Sequence, residues 1–468
     1  MPFIRAPKRL LLAWLVVSLL ASGAALAQAP GALPPPLTPP ATVAPTPADE
    51  DPAIRQLRVL LGPDIRLEYR SAAVTDAAAG NFRLDDVQLH GADFRAVIGT
   101  LTATGQRGDG AQTLALHAVG WYGNDGTLLS VNDIQLAGLA IQHPAADQAV
   151  TAAALIGAVR FDRLAIEGAA FGLGEVSLGR LTVEGYGPGR ETRVLAENFE
   201  GQWAGDGPNG FSLARLGMNG LDLATVMLLQ VTETPSGPAR MQGTMLAETF
   251  ALTENGAVVG GAESLRFDTA IEVTADGRIT EIDRGVLRGL QLDGVQAAQA
   301  FLSPLGYTAL PAEITTESRM ERQGRRSTIT DAGIAVPGFG RLSFGFDVDG
   351  LDPAAPPLQA MTQIQLRGVT LGYRDDGLLP RALQAQAEVQ HISVPALRAQ
   401  LIASVAGALE GPTLAALLTP IKRFLSGQAQ ALEVTARPPQ PLGFDALAPG
   451  PDGMEEVLAR LGLAATAH

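Results

Sequence analysis

One short pattern recurs along this chain and limits its fold more than any other feature: apolar-x-apolar-x-Gly. It occurs at Val87–Gly91, Ile134–Gly138, Leu164–Gly168, Leu181–Gly185, Leu216–Gly220, Leu290–Gly294 and Ile364–Gly368. In most copies a second apolar pair follows the glycine, as Leu139 and Ile141 or Leu221 and Leu223 do. A regular strand keeps residues i, i+2 and i+4 on one face. Here the apolar positions fall at i, i+2, i+5 and i+7, so the phase flips at the glycine. A bulge or bend there returns all four side chains to one side, and glycine is the residue that permits it. The pattern therefore predicts bent strands, and a sheet of bent strands curls. A curled sheet with an apolar inner surface holds either a filled sandwich or barrel core, the default, or a groove. The intervals between the glycines are irregular, which argues against a solenoid of fixed period.

Alternation elsewhere fits the same class, as in Ile65-Arg66-Leu67-Glu68-Tyr69 and Ile271-Glu272-Val273-Thr274. Asn255-Gly256 and Asp276-Gly277 read as two-residue hairpin turns, so Phe250 to Ile282 reads as a meander; Asn124-Asp125-Gly126 marks another hairpin. The β-rich region is placed at residues 53–377. Residues 378–468 change character. Pro380 to Leu409 has helical spacing, Gly411-Pro412 breaks it, and Thr413 to Leu425 reads as a second helix. Gln430 to Arg437 alternates as a strand, and Asp452 can cap a last helix ending near Gly462. The expected fold is mainly β: a long curled antiparallel sheet or β-sandwich with a small C-terminal helical (α+β) portion.

Residues 1–27 have the form of a signal peptide. Arg5, Lys8 and Arg9 precede the apolar run Leu10 to Leu20, and Ala25-Leu26-Ala27 is an A-x-A cleavage pattern. The expected location is the periplasm; an uncleaved segment would instead anchor the chain in the inner membrane, facing the periplasm. Residues 28–52 are Pro-rich, with Pro34, Pro35 and Pro36 among others, and read as a disordered or semi-stiff tether.

Composition narrows the chemistry. The chain has no cysteine, which removes disulfides, thiolate metal sites and cysteine nucleophiles. Its formal net charge is −14, with 34 basic and 48 acidic residues. Such a chain repels phosphate backbones, which argues against nucleic-acid binding. The five histidines, His90, His117, His143, His391 and His468, form no pair at metal-binding spacing. A role for His90 with Asp85, Asp86 and Asp93 is the weaker reading beside a surface histidine. Gly205-Asp206-Gly207-Pro208-Asn209-Gly210 matches G-x-G-x-x-G by letter, but its Pro and Asn make it a turn. Arg107-Gly108-Asp109 reads as a hairpin tip, and Asp375-Asp376-Gly377 as a turn. No catalytic, cofactor-binding or metal-ligating residue is nominated, and no cofactor is expected.

Repeated L-x-L-x-G-apolar elements in an exported, β-rich chain resemble AsmA-like envelope proteins. That resemblance spans roughly residues 80 to 375. It implies long curled sheets with an apolar groove and a part in phospholipid movement or outer-membrane homeostasis. Residues 371–437, with the run Leu371-Gly372-Tyr373-Arg374-Asp375-Asp376-Gly377, are similar to uncharacterised exported proteins of alphaproteobacteria, a group that implies no activity. The expectation is a non-enzymatic periplasmic protein whose partners are phospholipid or other envelope proteins, with peripheral membrane contact. The alternatives are a periplasmic hydrolase with an unidentified site, or a structural scaffold.

Overall fold

The computed structural model describes residues 50–468, apart from 63–64, 93, 125, 127, 143–155, 173–174, 204–208, 233–237, 292–311, 322–325, 351–362, 410–411, 444–445 and 447–453. The chain divides into two compact units at residues 235/236, and both are mainly β. The signal segment, residues 28–49 of the tether, Gly294, His143, Asp93, Asp452 and most of the Gly205–Gly210 run lie outside the described residues.

The first unit opens with helix α1 (Pro52–Leu61), followed by β1 (Arg66–Glu68), β2 (Ser71–Asp76), β3 (Asn81–His90), β4 (Phe94–Thr104) and β5 (Gly110–Gly123). Next come β6 (Leu128–Ile141), β7 (Val159–Phe171), β8 (Val176–Tyr186), β9 (Thr192–Gln202), β10 (Gly210–Leu221) and helix α2 (Leu223–Thr232). Strands β3 to β10 pair antiparallel in chain order, while β1 and β2 share the outer edge of β3. The strands therefore form one open meander within this unit, not the two facing sheets of a sandwich.

Two rows of interrupted pairing cross this meander. In the first row, Asp86, Ala118, Gly168 and Asn198 on the odd strands β3, β5, β7 and β9 have left-handed backbones, with φ of 50°, 54°, 62° and 56°. They lie opposite Gly99, Asn132, Gly179 and Ala214 on the even strands. None of these positions pairs, yet the register resumes unchanged beyond them. In the second row the even strands carry the left-handed residues: Gly105 just past β4, then Gly138, Gly185 and Gly220, at φ 60°, 65°, 73° and 82°. On each strand the two rows are six residues apart, as at Asn132 and Gly138 or Asp162 and Gly168.

Each left-handed residue resets the pleat by one position. On β7, Phe161, Leu164, Ile166 and Ala169 are all buried although their spacing alternates between three and two. Two apolar ladders consequently run unbroken between the rows. One is Phe82–Ala103–Leu114–Leu136–Leu164–Val183–Val194–Met218, and the other Leu84–Leu101–Leu116–Ile134–Ile166–Leu181–Ala196–Leu216. The expected phase correction thus holds at Gly138, Gly168, Gly185 and Gly220. It does not hold at Gly91, which lies just past β3 without a left-handed backbone and whose N–H donates to the Phe94 carbonyl.

The second unit contains β11 (Ala239–Glu254), β12 (Ala257–Val273), β13 (Ile279–Leu290), β14 (Ala312–Glu321), β15 (Arg326–Val336), β16 (Gly340–Asp349) and β17 (Gln365–Asp375). Helices α3 (Leu378–Gln390), α4 (Val394–Ala408) and α5 (Pro412–Leu425) follow, then β18 (Ala431–Ala436), β19 (Leu442–Gly443), α6 (Met454–Leu461) and β20 (Leu463–Ala467). Strands β11 to β18 pair antiparallel in sequence, β20 adds beside β18, and β19 beside β17. Among the described residues of this unit, a left-handed line across paired strands occurs at Thr249 and Gly289, φ 55° and 63°, with Glu263 between them. From β14 onward the strands use register shifts instead, and at Gly368 the extra residue is its neighbour Arg367, not the glycine.

Several local readings change. The region expected to be strands from Ile54 onward begins with α1, because Asp51 accepts the Ala53 N–H at 2.8 Å, Pro52 occupies the first turn, and Ile54, Leu57 and Leu60 share a buried face. Helix α2 is likewise a helix inside the expected strand region; Asp222 caps it by accepting from the Thr225 N–H at 2.9 Å. Asn255-Gly256 forms a tight turn with both φ positive. The Asp276-Gly277 turn is longer than two residues: Thr274 N–H donates to the Arg278 carbonyl across Ala275-Asp276-Gly277. The helical run from Pro380 is two helices, broken at His391, whose backbone is left-handed at φ 54°.

Candidate functional surface

The two faces of each meander differ in chemistry. On the polar face, arginines pair with carboxylates across and along strands. In the second unit Arg326 holds Asp347 with two hydrogen bonds of 3.0 and 2.7 Å, Arg341 reaches Asp331 at 2.7 Å, and Arg367 reaches Asp349 at 2.6 Å. Arg326 keeps the Asp347 carboxyl below the usual carboxylate range, and Arg266 does the same for Asp268. These pairs are solvent-facing, so they add little to stability. Their consequence is that one face is densely charged while the other carries hydrocarbon.

The hydrocarbon face is covered to different extents. In the first unit Leu164, Ile166, Leu181 and Val183 on β7 and β8 are buried, whereas Leu114, Leu116, Ile134 and Leu136 on β5 and β6 are half-buried. The second unit has its own apolar ladder, Leu265–Leu287–Ile314–Ile334–Leu342–Tyr373–Leu432. It is interrupted on β13, where Glu281 and Asp283 are buried and the Ser318 hydroxyl donates to Asp283 at 3.4 Å. At β15 to β17 it opens: Leu371 is 50% exposed, Leu342 44%, Phe344 43% and Ile334 40%. Ile334 is paired with Leu342, and Phe344 with Leu371, so these side chains with Val369 form one patch over three strands. Contiguous exposed apolar surface marks interaction sites. The patch is bounded at β18 and β20 by α5, whose buried Phe424 meets the Tyr373 ring edge-on at 5.9 Å.

The residues weighed for chemistry are dispersed. His90 lies 3.9 Å from Glu68. Asp85 instead accepts from Arg83 and Ser71, and Asp86 pairs with Arg70 at 2.6 Å. His117 Nδ1 is 2.9 Å from Asp133 on the polar face, and His468 Nε2 is 3.1 Å from the Thr466 hydroxyl. Arg107-Gly108-Asp109 is a turn closed by paired Arg107 and Gly110. Asp375 caps α3, accepting from the Leu379 N–H at 2.8 Å and the Tyr373 hydroxyl at 3.0 Å. Among the described residues no group of three or more His, Asp or Glu is arranged to hold a metal ion.

A family model described as "Uncharacterized protein" matches residues 333–468. No curated protein matches the chain. The matched segment holds every residue of the exposed patch, from Ile334 to Leu371, together with the helices that bound it. The patch was not singled out from sequence. Its signal is the alternation Leu342-Ser343-Phe344-Gly345-Phe346 facing Val369-Thr370-Leu371. Alternation reports that one face is apolar but not whether anything covers it.

Proposed function

We propose that this chain is a non-enzymatic envelope protein of the periplasm that handles lipid, in the manner of the AsmA-like proteins it resembles. The observation that carries the reading is the exposed apolar patch on β15 to β17, backed by a face of paired charges. The patch presents only hydrocarbon, which suits an acyl chain: a flexible apolar ligand that asks for no hydrogen bonds. The leader and the Pro-rich tether support placement near a membrane. Native mass spectrometry of the protein exported and purified with its own leader, followed by lipid extraction, tests the reading. Near-stoichiometric phospholipid is expected, falling severalfold in Phe344→Glu. A lipid-free protein under gentle release conditions would remove the proposal.

A further inference from the structure

We infer that the two rows of interrupted pairing in the first unit are fold lines, across which its sheet flexes while the strip between them stays rigid. A meander resists bending along its strands chiefly through its cross-strand bridges. At the first row those bridges are missing at one aligned position in seven consecutive strand pairs, from β3–β4 to β9–β10. No register shift accompanies them until Met218 to Leu221, so the row is a straight line rather than a set of scattered bulges. Small residues concentrate on it: Gly99, Ala118, Gly168, Gly179 and Ala214 leave little side chain to block rotation. Ala118 holds a left-handed backbone there, which costs about 1–2 kcal/mol, and the row is kept despite that cost. The strip between the rows, by contrast, is paired at every position from β4–β5 to β8–β9 and carries both apolar ladders. Hinges of this kind absorb backbone rotation at a few residues while packed blocks move as bodies. This inference rests on backbone geometry and is independent of what the apolar faces bind.

The absence of cysteine makes a distance test clean. Arg193→Cys with Glu200→Cys places two spin labels on the exposed face of β9, on either side of Asn198. Arg266→Cys with Glu272→Cys does the same on β12, with no left-handed residue between them. Pulsed electron–electron resonance on the full-length protein should give a distance distribution about twofold wider for the β9 pair than for the β12 pair. Ser177→Cys with Glu184→Cys crosses the same row at Gly179 on β8 and should match the β9 pair, which covers the case where one variant misfolds. Equal, narrow distributions for the crossing pairs and the β12 pair would show fixed bends and overturn the inference.

Discussion

The two units solve the same problem with different devices. Both must keep apolar side chains on one face of long strands. The first does so with left-handed residues aligned in rows, and its ladders stay in register across eight strands. The second uses one short left-handed line and then register shifts that differ from strand pair to strand pair. The outcomes differ in burial. The first unit buries its ladders on β7 and β8; the second leaves Leu371 and Phe344 about half exposed. The ordered rows accompany the covered face at β7 and β8, and the irregular strands β15 to β17 accompany the open one.

The largest expected effect comes from glycines of the same motif placed on the two devices. Gly168 has φ 62°, and a Cβ there would collide with the Asn132 side chain. Gly168→Ala should lower stability by about 2 kcal/mol. Gly368 has no left-handed backbone, and the nearest atom to an added Cβ is the Ala436 carbonyl oxygen at 3.6 Å. Gly368→Ala should stay within about 0.5 kcal/mol of the parent. Chemical denaturation of both variants checks this, and equal losses would dissolve the distinction.

A comparable loss is expected at the start of α1. Glu50 is buried, accepts two hydrogen bonds from Arg58 at 2.7 and 2.8 Å, and accepts a third from the Tyr69 hydroxyl at 3.1 Å. Glu50→Ala should cost about 2 kcal/mol and expose α1 to proteolysis. A smaller effect of opposite sign is expected at Ala118, where glycine removes the left-handed penalty: Ala118→Gly should stabilise by about 0.5 kcal/mol in thermal melts.

Extremes of pH should sharpen the contrast between units. Burial pushes the phenols of Tyr69 and Tyr186, both in the first unit, up to about 12, with Glu50 adding to the effect at Tyr69 and Asp222 at Tyr186. The protonated phenol favours the folded state, so that contribution is intact below about pH 10 and lost as pH climbs toward 12. Hydrogen bonds from Arg266, Thr274 and Arg326 hold Asp268, Asp276 and Asp347 of the second unit below the ordinary carboxylate range, and Arg83 does so for Asp85 in the first. Their contribution is present above about pH 4 and erodes as pH falls further. Unit-resolved hydrogen exchange should find alkali loosening the first unit first, and acid weakening the second by a smaller margin.

Much of the backbone design was legible in the sequence. The apolar-x-apolar-x-Gly pattern carries the phase flip, and of its six described glycines four occupy left-handed positions. The full repeat is longer, because a second kink precedes each by six residues, as Asp162 precedes Gly168. That half stayed hidden because its residues are opposed to left-handed neighbours rather than left-handed themselves, and so need not be glycine. Asp86, Ala118 and Asn198 stayed hidden for a related reason: Asp and Asn tolerate left-handed backbone without announcing it in strand-like sequence, and at Ala118 cross-strand register overrides local preference. The exposed patch was not legible, since Phe344 and Leu371 alternate as buried strand residues do.

The most direct test of the lipid reading is photoaffinity mapping with a diazirine-bearing phospholipid, followed by peptide mass spectrometry. Labelling should concentrate on peptides spanning β15 to β17, around Leu342, Phe344 and Leu371. Labels spread evenly over both units, or absent from those three strands, would contradict the account.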